Sequence, residues 1–375
     1  MRVLSLFPRI LVALTLGAVM ALSGTACDEA PADFSGEGGI FDSPVSAVIN
    51  GDYVYILSAN FDLSDEGDGA ITIVDIKRSL VNRREGIVNR VSMPAYIGKM
   101  VISEDGQTGY LANRAGSSIL LVDLSDPVRP ELIDLNPDQG GTQGIRVGSE
   151  PFGLTLSPDE TRLFVANVGS GDLSIVDVPG RQLIKNELLN WGLNDIGIQP
   201  GSPYAYITNK GLNAVAIYDI TTSRFVTSFP LGGLTTGLGT DTRGIDFTSD
   251  GRWAFIAARN PESLLVVDTD KIPAQVDTAV VDILPMDLKP TAVRVAPNDY
   301  EVWVTNFDSH NVYAIDIRSR SVLDVVSTGA GPYDLAIADL DPDAPEQYYV
   351  FVSNFNSHNV SLIDGRTKEY VWVIP

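Results

Sequence analysis

Across 375 residues there is a single cysteine, Cys27, and there are only two histidines, His310 and His358. One cysteine excludes an internal disulfide and covalent haem attachment through C-x-x-C-H, and it leaves the body of the chain without a thiol nucleophile. The two histidines stand far from any H-E-x-x-H pattern. No G-x-S-x-G occurs, so a Ser-His-Asp triad would have to recruit one of these two imidazoles. Basic residues are also scarce. Lys and Arg number 26 against 48 Asp and Glu, for a formal charge of −22. Such a field repels nucleic acid and anionic headgroups. Helical periodicity is almost missing, and the one long apolar run, Ile10 to Leu22, is too short to span a bilayer stably.

That run has the form of an export signal. Arg2 and Arg9 precede it, and the small residues Ser23-Gly24-Thr25-Ala26 lead to Cys27. The stretch LSGTAC resembles a bacterial lipoprotein lipobox, although Gly24 stands where Leu is usual. The resemblance implies that Cys27 is diacylated and becomes the mature N-terminus, holding the protein to a membrane facing the periplasm or the cell exterior. Cleavage after Ala26 by ordinary signal peptidase is the alternative and would release a soluble protein. The expected division is a signal peptide over 1–26, an anchor and Gly-, Pro- and acid-rich tether over 27–43, and the folded part over 44–375.

The folded part is repetitive. Seven segments share a β-branched run, ending in Asn in six and in Ala258 in the fifth, then a small polar turn and a second run ending in Asp. Examples are LFVANVGSGDLSIVD, AYITNKGLNAVAIYD and VWVTNFDSHNVYAID. The closing aspartates are Asp75, Asp123, Asp177, Asp219, Asp268, Asp316 and Asp364. A strand-like run precedes each pair, as in PFGLTLSPDE, and another follows it, as in SRFVTSF. Four short antiparallel strands repeated seven times predict an all-β, seven-bladed β-propeller of four-stranded blades. The order of the runs offers no displaced strand for closing the ring. The runs YITN, FVAN, VWVTN and FVSN resemble the YVTN repeat of seven-bladed propellers over residues 44–375. Proteins of that kind include surface and periplasmic proteins, a non-catalytic subunit of amine dehydrogenases, haem-carrying nitrite reductase domains and lactonases, so the resemblance implies a fold more than a task.

The two histidines fall at one repeat position, in NFDSHNV and NFNSHNV. They read as a repeat signature first and as part of a ligand surface second. Neighbouring blades are too far apart for both imidazoles to share a metal readily. The acidic run DLSDEGDG (Asp62, Asp65, Glu66, Asp68) and the alternating Asp339, Asp341 and Asp343 are candidate Ca²⁺ ligands, but both lack the spacing of an EF-hand loop. No other cofactor is indicated.

Departures from the repeat on the face bearing the turns between second and third strands are the informative positions. Aligned innermost strands put Asp195, Arg243, Asp246, Lys289, Arg294 and Asp334 near the axis, with Lys99. Arg243, Lys289 and Arg294 are candidates for holding a polar or anionic ligand in the channel mouth. The two Gly-rich connections over 136–150 and 231–244 are candidates for covering it. The main expectation is a monomeric, non-catalytic binding or scaffold protein that takes a protein or small polar ligand on this face, with no nucleic-acid partner and with membrane contact only through the anchor. The rivals are a lactonase- or lyase-type enzyme with a divalent cation on Asp195, Asp246 and Asp334, and a non-catalytic subunit of a periplasmic redox enzyme.

Overall fold

The structure is a computed structural model that describes residues 41–60, 69–231, 240–341 and 343–375. Cys27 and the acidic group Asp62, Asp65, Glu66 and Asp68 lie outside the described residues. Seven sheets follow one another along the chain, each built from consecutive antiparallel strands. The innermost strands are Pro44–Asn50, Ile97–Ile102, Pro151–Leu156, Leu193–Ile198, Thr242–Phe247, Pro290–Val295 and Pro332–Asp339. The second strands end at Ser58, Asn113, Asn167, Asn209, Arg259, Asn306 and Asn354, and the third strands end at the seven repeat aspartates. This is the expected seven-bladed β-propeller.

Burial explains why the repeat reads as it does. Second and third strands are buried almost from end to end, since each blade is covered on both faces by its neighbours. Outer strands such as Gln182–Leu188 are exposed or half-exposed throughout and tolerate polar residues. The apolar clusters lie between blades: Phe164, Leu173 and Ile175 of the third blade meet Leu193, Ile207 and Tyr218 of the fourth. The repeat Asn is a buried turn brace. Asn209 accepts the backbone N–H groups of Gly211 and Leu212 through Oδ1, and Asn354 donates to Asn359 and Ser361. The repeat Asp ends the third strand by accepting backbone N–H groups just beyond it, as Asp219 does from Thr221 and Thr222.

Crowding at the axis dictates small residues there. A Cβ on Gly153 would lie 2.6 Å from the Asn194 carbonyl oxygen, and one on Gly244 would lie 2.8 Å from that of Thr291. The register of every innermost strand shifts near its start, between Pro151 and Gly153 or Pro332 and Asp334 for example. Just before each of these strands one residue has positive φ: Ser43, Tyr96, Glu150, Gly192, Asp241, Lys289 and Gly331. Five of these are not glycine, so the backbone is held there at a cost of about 1 kcal/mol per residue.

The ring closes by face packing of the last blade on the first. Phe351, Val360, Leu362 and Ile374 share an apolar cluster with Phe41, Ala47, Val54 and Ile56. Two polar ties reinforce the seam. Asp334 accepts from the Ser46 hydroxyl at 3.0 Å, and Nδ1 of His358 accepts the Ser43 N–H at 3.0 Å. His310 makes the same bond one blade earlier, accepting the Gly331 N–H at 3.1 Å. Both histidines occupy the left-handed turn position, at φ of 55° and 52°. The matched pair therefore does one repeated structural job, tying a blade to the lead-in of the next.

Candidate functional site: the channel mouth

The residue that follows the repeat Asn sits where the second strand leaves the sheet, on the face of the second-to-third-strand turns. In the second, third, fourth, sixth and seventh blades it is Arg114, Val168, Lys210, Phe307 and Phe355. In the fifth, where Ala258 replaces the Asn, it is Arg259. A repeat that is otherwise regular thus places three cations and two aromatic rings at one level.

The next level down comes from the shifted starts of the innermost strands. Phe152 of the third blade reaches Tyr333 of the seventh, with ring centroids 6.4 Å apart, and Tyr333 in turn contacts Phe307 at 6.1 Å and Phe355 at 5.8 Å. The Arg114 guanidinium lies 4.2 Å from the centre of the Tyr96 ring and 5.5 Å from that of Phe152, while Lys99 approaches Phe152 from below at 5.9 Å. Phe152 therefore lies between Arg114 of the mouth and Lys99 of the inner strands.

Beneath the aromatics lies a ring of charge. Lys99 pairs with Asp195 at 2.7 Å, and Arg294 pairs with Asp334 at 3.4 Å. Asp246 accepts the backbone N–H groups of Phe247 and Val295. Burial raises the carboxyl of Asp246 above its ordinary range, and the positive charge of Arg294 offsets part of that effect. Four of these five charged residues, Asp334 being the exception, line a cavity of about 580 Å³ on the axis, which Val48 and Phe247 make apolar elsewhere.

Charge balance distinguishes the mouth from this lower ring. Arg114 is held by Glu150 at 3.0 Å, and Arg243 grips Asp241 through two nitrogens, at 2.6 and 2.9 Å. Among the described residues Arg259 donates to neutral oxygens, the Pro290 carbonyl and the Thr291 hydroxyl, and its guanidinium lies 6.0 Å from the Phe307 ring centre. Lys210 has no ion pair among the described residues. Burial, reinforced by the positive charges of Arg243 and Arg114, lowers its ammonium from the ordinary 10.5 to about 8. Burial and Arg243 likewise lower Arg259 to about 10. Among the described residues, four cations thus meet two carboxylates at the mouth.

Lys210 carries a measurable consequence. The fold disfavours its ammonium, so between about pH 8 and 10.5 the unfolded chain holds a proton that the folded chain has shed. Its contribution to stability therefore rises with pH across that window. Lys210→Met is expected to be more stable than the wild type at pH 7, with the advantage shrinking toward pH 10.5. Urea midpoints of both proteins at pH 7 and pH 10 check this; an advantage independent of pH would show that Lys210 is well solvated.

The residues singled out from sequence separate by level. Arg243 stands at the mouth. Lys289 stands at its rim, half-exposed and paired with Asp308 at 2.6 Å. Arg294, Asp195, Asp246 and Asp334 belong to the lower ring, while His310 and His358 lie in the turns. Asp341 and Asp343 donate backbone N–H groups to the carboxylates two residues earlier, closing successive turns, and Asp339 is exposed. Among the described residues no group of three or more His, Cys, Asp or Glu is placed to hold a metal ion. Of the three carboxylates proposed for a catalytic cation, Asp195 and Asp334 each already face a cation of the protein. Lys210, Arg259 and Arg114 escaped the sequence reading, although their shared place after the repeat Asn was a usable signal. The connection over 136–150 does not cover the mouth along its whole length: Ile145 and Arg146 pair with the third strand of the second blade and extend its outer edge, leaving Arg146 exposed.

Neither a protein-family model nor a curated protein sequence matches the chain. Solved structures do resemble it. A chain of hydrazine synthase from Kuenenia stuttgartiensis aligns with a TM-score of 0.69 at 17% identity, covering 88% of this chain and 97% of that one. A protein of unknown function from Desulfotomaculum acetoxidans aligns at 0.62 with 14% identity, covering 81% and 92% respectively. A Lactobacillus plantarum protein aligns at 0.60 with 18% identity, covering 78% and 86%. At these identities the likeness is one of fold, and the class it defines is the seven-bladed β-propeller.

Proposed function

We propose that this chain is an exported, lipid-anchored propeller of the YVTN-repeat kind that works as a non-catalytic binding module, with its ligand end at the mouth bearing the second-to-third-strand turns. The observation that carries this reading is the pair of cations, Lys210 and Arg259, that make no ion pair among the described residues of a protein of net charge −22. Ion pairs neutralise most of the lower ring. Among the described residues the mouth keeps a surplus of cations, which favours an anionic ligand or an anionic patch on a partner. Among the described residues the mouth brings no nucleophile and base together, which favours binding without turnover.

Thermal shift of the purified protein at low ionic strength, with sets of small anions and small cations, tests this. Stabilisation by anions that fades with added salt is expected. Stabilisation by cations alone, or turnover of a lactone, overturns the reading. A second reading, a non-catalytic subunit of a redox enzyme, draws support from the likeness to a hydrazine synthase chain. Co-purification of a redox-active protein with the tagged chain would favour it over the first.

A further inference from the structure

Resting on the binding reading above, we propose that the mouth is built for an amphipathic anion, a ligand with one carboxylate or phosphate head and a compact apolar body. The argument comes from how the mouth is divided. Cations occupy the blades two, four and five side, with Lys210 and Arg259 in no ion pair among the described residues and Arg114 and Arg243 behind them. Aromatic rings occupy the blades six and seven side, where Phe307, Tyr333 and Phe355 lie 5.8 to 6.2 Å from one another. The halves meet where the Arg259 guanidinium lies 6.0 Å from the Phe307 ring centre.

A bare inorganic anion would use only one half and leave half-buried Phe307 and Phe355 facing water. A neutral apolar ligand would leave Lys210 desolvated and unpaired, which is costly. A ligand that satisfies both halves places its head on Lys210 and Arg259 and its body against the aromatic side, the usual division of a small-molecule site into a few placed polar groups and an apolar wall. Lys210 must be protonated to hold the head, so affinity should fall by up to tenfold per pH unit above about pH 8.

The test is calorimetric titration of the purified full-length protein at low ionic strength with four probes: 3-phenylpropionate, acetate, inorganic phosphate and 3-phenylpropionamide. The expected result is that phenylpropionate binds at least tenfold more tightly than each of the others. Lys210→Met and Phe307→Ala should each weaken it about tenfold or more, with urea denaturation confirming that both variants fold. If acetate or phosphate binds as tightly as phenylpropionate and Lys210→Met abolishes all of it, the amphipathic proposal falls while the anion-binding reading stands. If the amide binds as well as the acid, the head is unused and the proposal falls. If phenylpropionate binds Lys210→Met and the wild type alike, the ligand lies elsewhere and the proposal falls. If no anion binds the wild type, both readings fall together.

Discussion

Replacing Asp334 with alanine is expected to lower folding stability by about 3–5 kcal/mol, the usual consequence of breaking a buried ion pair and stranding one partner. Asp334 is 1% exposed and joins three blades. Its carboxylate faces Arg294 of the sixth blade at 3.4 Å and accepts from the Ser46 hydroxyl and the Ala47 N–H of the first at 3.0 and 3.4 Å. Alanine would leave a guanidinium without its nearest counter-charge and two donors without an acceptor at the ring seam. Arg294 keeps 28% of its side chain exposed toward the axial cavity, which places the expected loss at the lower end of that range. Ser46→Ala removes one neutral donor and should cost only about 1 kcal/mol. The double change Asp334→Leu with Arg294→Met removes both charges and should recover much of the loss, because a buried pair gains little over apolar groups of similar size. Urea unfolding of the four proteins decides the matter. A loss below about 1 kcal/mol in Asp334→Ala would mean that cavity water already solvates Arg294.

The blade number and the strand order were legible because each is written several times. A residue repeated in five or seven copies averages out local ambiguity, and alternation with turns at fixed offsets leaves little choice of architecture. The seam was legible only by its lack of a displaced strand. What closes it, Asp334 reaching Ser46 and His358 reaching Ser43, depends on residues far apart in the chain.

The candidate mouth was half legible. Arg243 was placed correctly near the axis because it lies on an innermost strand whose register the repeat supplies. Lys289 was placed there too, but the backbone turn that gives it positive φ delivers it to Asp308 at the rim. Arg294 has the same alternation as Arg243 yet lies three residues farther into its strand than Arg243 does in its own, past the register shift, and so joins the lower ring. Lys210 and Arg259 lie outside the innermost strands, because the mouth is also lined by the residue at the end of each second strand. Position within a repeat was readable, but depth along the axis needed coordinates.

The second large effect concerns the aromatic level between mouth and cavity. Phe152→Ala is expected to destabilise the fold by about 3 kcal/mol, the lower end for deleting a buried Phe side chain. Phe152 is 5% exposed and spans the axis to Tyr333 while touching Arg114 above and Lys99 below. The space it leaves would be flanked by those two cations, so water should enter and limit the cost that a dry apolar void would impose. Phe152→Leu keeps most of the volume and should cost about 1 kcal/mol. The same water should reach the mouth from below and relieve the desolvation of Lys210. Its ammonium would then move back from about 8 toward 10.5, and the pH-dependent advantage of Lys210→Met would shrink in the Phe152→Ala background. Urea midpoints of the four combinations at pH 7 and pH 10 measure both effects at once. A small loss with an unchanged advantage would mean that the axis is wet throughout; a full loss with a reduced advantage would identify Phe152 as the barrier that keeps the mouth dry enough to favour a bound anion.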